Sequence, residues 1–183
     1  MFSNFVKLAA YRELLLAWAA RDIKVRYKQT ALGIAWAIIQ PLSLMFVFSF
    51  IFSYLIKIPT DSALPYPLFV YVALLPWTFL ATSVNFSATS LVRNANLLKT
   101  VYFPREIFPL AEVAAGGVDF LCASAAFWAL VAYYRLPPSP CWLHLPLILS
   151  IQVILTVGVS LLVAAANVFY RDVRFLVPLG MQL

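Results

Sequence analysis

Three stretches of this chain carry no charged side chain: between Lys28 and Lys57, between Asp61 and Arg93, and between Arg135 and Arg171. An apolar helix of about 20 residues, rising 1.5 Å per residue, crosses the roughly 30 Å hydrocarbon core of a bilayer. The lengths therefore predict membrane spans at 33–56, 68–91, 107–134 and 143–169. A fifth begins near Phe175 and is cut off at Leu183, since nine residues cannot cross. Charged residues make up 11% of the sequence and hydrophobic ones 64%, against about 25% charged in soluble domains. The expected fold is an all-α, polytopic membrane helix bundle. Residues 1–32 form an N-terminal segment ahead of the spans, and residues 33–183 form a membrane domain that is incomplete at its C-terminal end.

Orientation follows from the basic residues. Of the 13 lysines and arginines, only Lys57 and Arg135 fall on one predicted side; the rest flank the spans on the other. The excess of Lys and Arg marks the cytoplasmic side, so the N-terminus is expected there, in a multi-pass membrane protein. The loops on the sparse side hold Pro59, Pro65, Pro67, Pro137, Pro138 and Pro140, as short non-helical connections do. The net charge of +6 is explained by headgroups and topology, not by nucleic acid.

The segment before the first span is patterned. Leu15, Leu16, Ala19, Ala20, Ile23 and Tyr27 share one helical face, and Arg21, Lys24 and Lys28 share a neighbouring edge. This predicts an amphipathic helix lying along the inner leaflet; packing against a protein subunit is the alternative.

Little else points to chemistry. There is no Gly-x-x-x-x-Gly-Lys phosphate loop, no paired aspartates for magnesium, and no Cys/His or Ser/His constellation. The two cysteines make no disulfide framework, and His144 has no ligand partner at metal spacing. No catalytic residue, metal site or cofactor is expected on this chain. Glu112 and Asp119 interrupt the third span, seven residues apart on one face. A carboxylate at span depth costs about 2.5–3.5 kcal/mol on insertion scales and must face protein or water. They mark either a transport path or subunit contact, or a pairing with headgroups and a neighbouring span. Gly116 and Gly117 between them permit close helix approach. The segment from Arg93 to Pro109 mixes Leu97, Leu98, Val101, Tyr102 and Phe103 with Lys99 and Arg105. It reads as a short helix offering an apolar patch to a protein, or as side chains dipping into the bilayer interface.

Three motifs carry a family resemblance. Arg21-Asp-Ile-Lys-Val-Arg-Tyr-Lys-Gln-Thr-Ala-Leu-Gly-Ile-Ala-Trp-Ala-Ile-Ile-Gln-Pro41 resembles the segment leading into the first span of bacterial ABC type-2 permeases that export O-antigen and related polysaccharides. Asn94-Ala-Asn-Leu-Leu-Lys-Thr-Val-Tyr-Phe-Pro-Arg105 resembles their loop between the second and third spans, and Asn167-Val-Phe-Tyr-Arg-Asp-Val-Arg174 the turn into their fifth span. The resemblance implies six spans in the parent and a homodimeric permease, with ATP and magnesium used by a separate ABC ATPase subunit. It implies that Asn94, Asn96, Leu97, Leu98, Lys99, Tyr102, Phe103, Pro104 and Arg105 belong to an ATPase-coupling loop, which favours docking over interface burial. The substrate class it implies is a glycan on a lipid diphosphate. Arg21, Lys24, Arg26 and Lys28 are candidates for gathering that diphosphate, or for holding ordinary anionic lipid. Trp36, Tyr54, Tyr71 and Trp77 are candidates for aromatic contacts with sugar in a channel. The competing readings are a type-2 permease for a drug or other small hydrophobic molecule, a membrane-embedded polyprenyl-linked sugar transferase, and a structural subunit.

Overall fold

The computed structural model describes residues 11–28, 30–55, 65–100, 104–137 and 140–182. Every regular element among them is helical: α1 (Arg12–Tyr27), α2 (Trp36–Ser49), α3 (Tyr66–Arg93), α4 (Ala95–Thr100), α5 (Ile107–Tyr133), α6 (Leu145–Phe169) and α7 (Val173–Gly180). A 3-10 turn at Gly33–Ala35 leads into α2, a π-helical stretch at Phe50–Leu55 extends it, and a 3-10 turn at Pro140–His144 leads into α6. Four helices are long and apolar enough to cross a membrane: Gly33–Phe52, Tyr66–Arg93, Ile107–Tyr133 and Trp142–Phe169. These agree with the four complete spans expected, and α7 lies where a fifth was expected to begin.

Helix α3 is the hub, packing against α5, α6, α2 and α7. Its residues explain why. Ser83, Val84, Ser87, Ala88 and Ser90 form a buried strip of small side chains, and α5 answers with Ala111, Ala115 and Gly116. In lipid, helices gain little from burying apolar surface, so close approach through small residues supplies the attraction. At Gly116 a Cβ would collide with Ser83 Oγ, whereas at Gly117 it would meet open space. Only the first of the two glycines is needed for contact.

Polar side chains finish the packing. Helix α6 turns a strip of Gln152, Thr156, Ser160, Ala164 and Asn167 towards α3. Gln152 Nε2 donates to the Pro76 carbonyl at 3.1 Å and Asn167 Nδ2 to the Ala88 carbonyl at 2.8 Å. Ser87 Oγ donates to Pro109 O across α3 and α5 at 3.2 Å. Buried Tyr71 donates to the Ala123 carbonyl at 2.9 Å and packs with Leu75. Each bond satisfies a group that hydrocarbon would leave unpaired.

Helix α1 seats part of its expected apolar face on the bundle. It packs on α5 through Ala19 and Asp22, which are buried, while Leu16 is 63% exposed and Val25 62%. Leu15, Ile23 and Tyr27 of that face are half-buried, and Asp22 and Arg26 join them in the contact. A turn at Gly33 then leads into α2, with a φ of +53° that glycine adopts without strain.

Candidate functional site

The two acidic residues of α5 sit at the middle of an ion network. Arg26, from α1, reaches both: Nη2 donates to Glu112 Oε2 at 2.6 Å and Nη1 to Asp119 Oδ2 at 2.8 Å. Two helical turns separate the acceptors, and a single guanidinium fork spans them. Tyr27 donates to Asp119 Oδ1 at 2.7 Å. Arg93, the last residue of α3, pairs with the other oxygen of Glu112. The Glu112 side chain is 1% exposed and that of Arg26 11%. Five side chains from three helices thus neutralise charge that would otherwise be stranded in a dry bundle. The Arg26 guanidinium also lies over the Phe86 ring, 4.0 Å from its centroid.

Around this network the groups on α1 respond. Burial, then the nearby Glu112 charge, raises the Asp22 carboxyl above its ordinary range, against the pull of Arg21, Arg93 and Arg26. Burial, then the hydrogen bond to Asp119, pushes the Tyr27 hydroxyl well up, so it stays a donor at any physiological pH.

The network forms one wall of a cavity of about 450 Å³ between α1, α2, α3 and α5. Trp36 and Gln40 of α2 face it, with Thr78, Phe79 and Thr82 of α3 and Phe120 of α5. A second, wider depression of about 720 Å³ lies beside α4, where Leu98 and Arg105 meet Leu91, Asn167 and Arg171.

The candidates read from sequence divide as follows. Glu112 and Asp119 pair with the chain's own α1. Arg26 is spent on those carboxylates and is not a free headgroup ligand, which corrects its grouping with the other three. Lys24 and Lys28 are exposed; Arg21 is 43% exposed, stacked on Trp18 at 3.9 Å and 3.4 Å from Asp22. Tyr71 is fully buried in the α3–α5 core, so it is no channel aromatic; its hydroxyl and ring are both committed to packing. Trp36 lines the cavity, Trp77 is exposed on α3, and the side chain of Tyr54 lies outside the described residues. Asn94 is buried at the end of α3, where its Nδ2 donates to Ser90 O at 2.9 Å and its Oδ1 accepts from Arg21 at 3.5 Å. Its backbone carbonyl accepts from the Leu97 and Leu98 N–H groups at 3.1 and 3.3 Å, which starts α4. Asn96 and Leu97 are exposed on α4, Leu98 is half-buried, Pro104 half-buried and Arg105 exposed. Tyr102, Phe103 and the side chain of Lys99 lie outside the described residues. Arg93 and Asp22 are not site candidates by sequence, and Tyr27 enters there only as part of an apolar helical face. Two acids in one span demand basic partners, but the predicted cytoplasmic side offers several arginines and Arg105 is the nearest in sequence, so the demand was legible and the choice of Arg26 and Arg93 was not. Among the described residues no three His, Cys, Asp or Glu side chains come together as a metal site.

Membrane-length helices, small-residue packing and a buried ion network together define a polytopic helical membrane protein. The chain belongs to the ABC-2 type transporter family, whose pattern it matches over residues 13–183. It is similar to two O-antigen export system permease proteins RfbA of Klebsiella pneumoniae, at 36% and 35% identity over 172 residues. It is also similar to the O-antigen export system permease protein RfbA of Myxococcus xanthus, at 30% over 173 residues. In each case 93% of this chain is covered, and the chain spans 65% of the relative's own length.

Proposed function

We propose that the chain is the membrane-spanning permease part of an ATP-driven exporter that moves a lipid-linked polysaccharide, such as O-antigen, out across the bacterial inner membrane. The observation that carries this reading is the similarity, over 93% of the chain, to three permeases of O-antigen export systems. The permease is not itself an enzyme. It works as a homodimer with a separate ABC ATPase, which binds ATP and magnesium on the cytoplasmic side where the N-terminus also lies.

The geometry gives this reading a mechanical route. Helix α4 follows α3 after Asn94 alone, with Asn96 and Leu97 exposed. Closure of the ATPase on ATP pushes α4, and α3 moves with it. Arg93 carries that displacement to Glu112 on α5, and Glu112 carries it to Arg26 on α1. The helix ahead of the first span and the spans themselves therefore shift as one body. Anionic lipid or the diphosphate of the carrier meets the exposed Lys24 and Lys28 at the edge of α1.

Affinity purification of the full-length protein from detergent tests the partner. An ATPase with a Walker phosphate loop is expected at stoichiometric level, and Leu98→Asp is expected to lose it while still inserting into membranes. Absence of any ATPase from the wild type, or full retention by Leu98→Asp, sinks the docking reading. The substrate is tested in cells lacking the protein, which should lose surface polysaccharide and accumulate lipid-linked polymer inside.

A further inference from the structure

The depression of about 720 Å³ beside α4 is charged at one end and apolar along the rest. Arg105 and Glu106, at the entry to α5, and Arg171, just after α6, carry the charge. All three are exposed, and none of their side chains has an ion pair or hydrogen bond among the described residues. Leu161 and Ala165 continue the wall along α6. At 1.5 Å per residue, Leu161 lies about 12 Å inward from the end of that helix. The lining therefore passes from charged to apolar in the direction from headgroups to hydrocarbon, which is the polarity of a membrane amphiphile.

Asn167 stands between the two zones, one helical turn before Arg171, and lines the same depression. It is 2% exposed. Its Nδ2 is spent on the Ala88 carbonyl, whereas its Oδ1 is buried with no hydrogen-bond partner. An acceptor stranded at that depth is costly, and what it lacks is a donor.

These groups select among amphiphiles by chemistry. Two unpaired guanidinia fit a phosphate. Glu106 and Asn167 Oδ1 both accept, and a cationic N–H donor satisfies the pair. Phosphatidylglycerol and a lipid diphosphate bring no cation to Glu106, and the quaternary ammonium of phosphatidylcholine has no N–H to donate. Phosphatidylethanolamine has the phosphate, the cation and the N–H together.

We propose that this depression binds one phosphatidylethanolamine molecule. Its phosphate sits on Arg105 and Arg171, its ammonium on Glu106 and Asn167 Oδ1, and an acyl chain runs along Ala165 and Leu161. Ala95 and Leu98 of α4 also line the site, so the lipid fills the space between that short helix and the spans. The inference does not depend on which substrate the permease moves.

The test delipidates full-length protein in detergent, adds back palmitoyl-oleoyl phosphatidylethanolamine, phosphatidylglycerol or phosphatidylcholine, and counts retained lipid by native mass spectrometry. One phosphatidylethanolamine per chain is expected, held at least about fivefold more tightly than either other lipid. Arg105→Gln with Arg171→Gln should weaken it by about tenfold or more. Glu106→Gln should weaken phosphatidylethanolamine and leave phosphatidylglycerol unchanged or tighter. These positions are exposed, so the variants should melt like the wild type. Lys24→Gln with Lys28→Gln, on the exposed edge of α1, should leave the preference as it is. Equal retention of the three lipids, no loss in the double arginine variant, the same loss in the lysine variant, or indifference to Glu106→Gln each overturns the proposal.

Discussion

Arg26 decides more than any other residue in this fold. It closes two carboxylates at once, Glu112 at 1% exposure and Asp119 at 17%. Removing one member of a buried pair leaves a charge uncompensated and costs about 3–5 kcal/mol. Arg26→Met is therefore expected to lower the unfolding midpoint in detergent sharply. Arg21→Met, at a half-exposed position, should have little effect. Equal effects of the two would mean that the network is not what holds α1 to α5. Asp22 offers a second test, through pH. The folded chain keeps its proton above the ordinary value of 3.8, whereas the unfolded chain releases it there. Stability then falls as pH rises from that value up to the raised one, and stays lower beyond it. Asp22→Asn should melt with the wild type in acid and above it at neutral pH. A gap that is constant, or that shrinks with rising pH, contradicts this. At this scale the sequence was half legible. Acids inside a span announce that a base must come to them, but only the fold shows which arginine arrives and that Tyr27 joins it.

Among the elements, the contact of α3 with α5 is the most exposed to a single methyl group. A Cβ at position 116 runs into Ser83 Oγ, while at 117 it meets nothing within 4 Å. Overpacking of a tight contact costs about 1–3 kcal/mol. Gly116→Ala is expected to destabilise the bundle by that order, Gly117→Ala to be silent, and Gly116→Ala with Ser83→Ala to recover part of the loss. Thermal unfolding of the four proteins in one detergent decides it, and an equal effect at 116 and 117 would remove close packing as the reason for the glycine. The spans themselves were readable because hydrocarbon thickness fixes length and excludes charge, two constraints that act on the sequence one residue at a time. The seat of α1 was readable in part: of the face Leu15, Leu16, Ala19, Ala20, Ile23 and Tyr27, Ala19 is buried and Tyr27 reaches Asp119. Counting apolar area leaves out Arg26, whose bonds to Glu112 and Asp119 help to fix the helix. Tyr71 was misjudged for a related reason: aromatic character says nothing of whether a hydroxyl already has its carbonyl.

For the whole molecule the binding constraint is sidedness. Each membrane-length helix reverses direction, so α1, the end of α3, α4 and the start of α5 gather at one end, and the turn before α6 lies at the other. The Arg93–Glu112–Arg26 network sits at the first of these ends, next to α4, and can pass a push only if the force arrives from that side. The proposed coupling to an ATPase therefore requires that end to face the cytoplasm, as the distribution of lysine and arginine also does. Single cysteines in a background with Cys122 and Cys141 replaced by serine test both requirements at once. Lys24→Cys and Pro137→Cys occupy exposed positions at opposite ends. In spheroplasts, a membrane-impermeant maleimide should label Pro137→Cys and reach Lys24→Cys only after permeabilisation. The reverse pattern would place α4 outside the cell, where no ATP is available to drive it. The charge-based orientation and the coupling route would then fail together, while the helix packing and the ion network would stand unchanged.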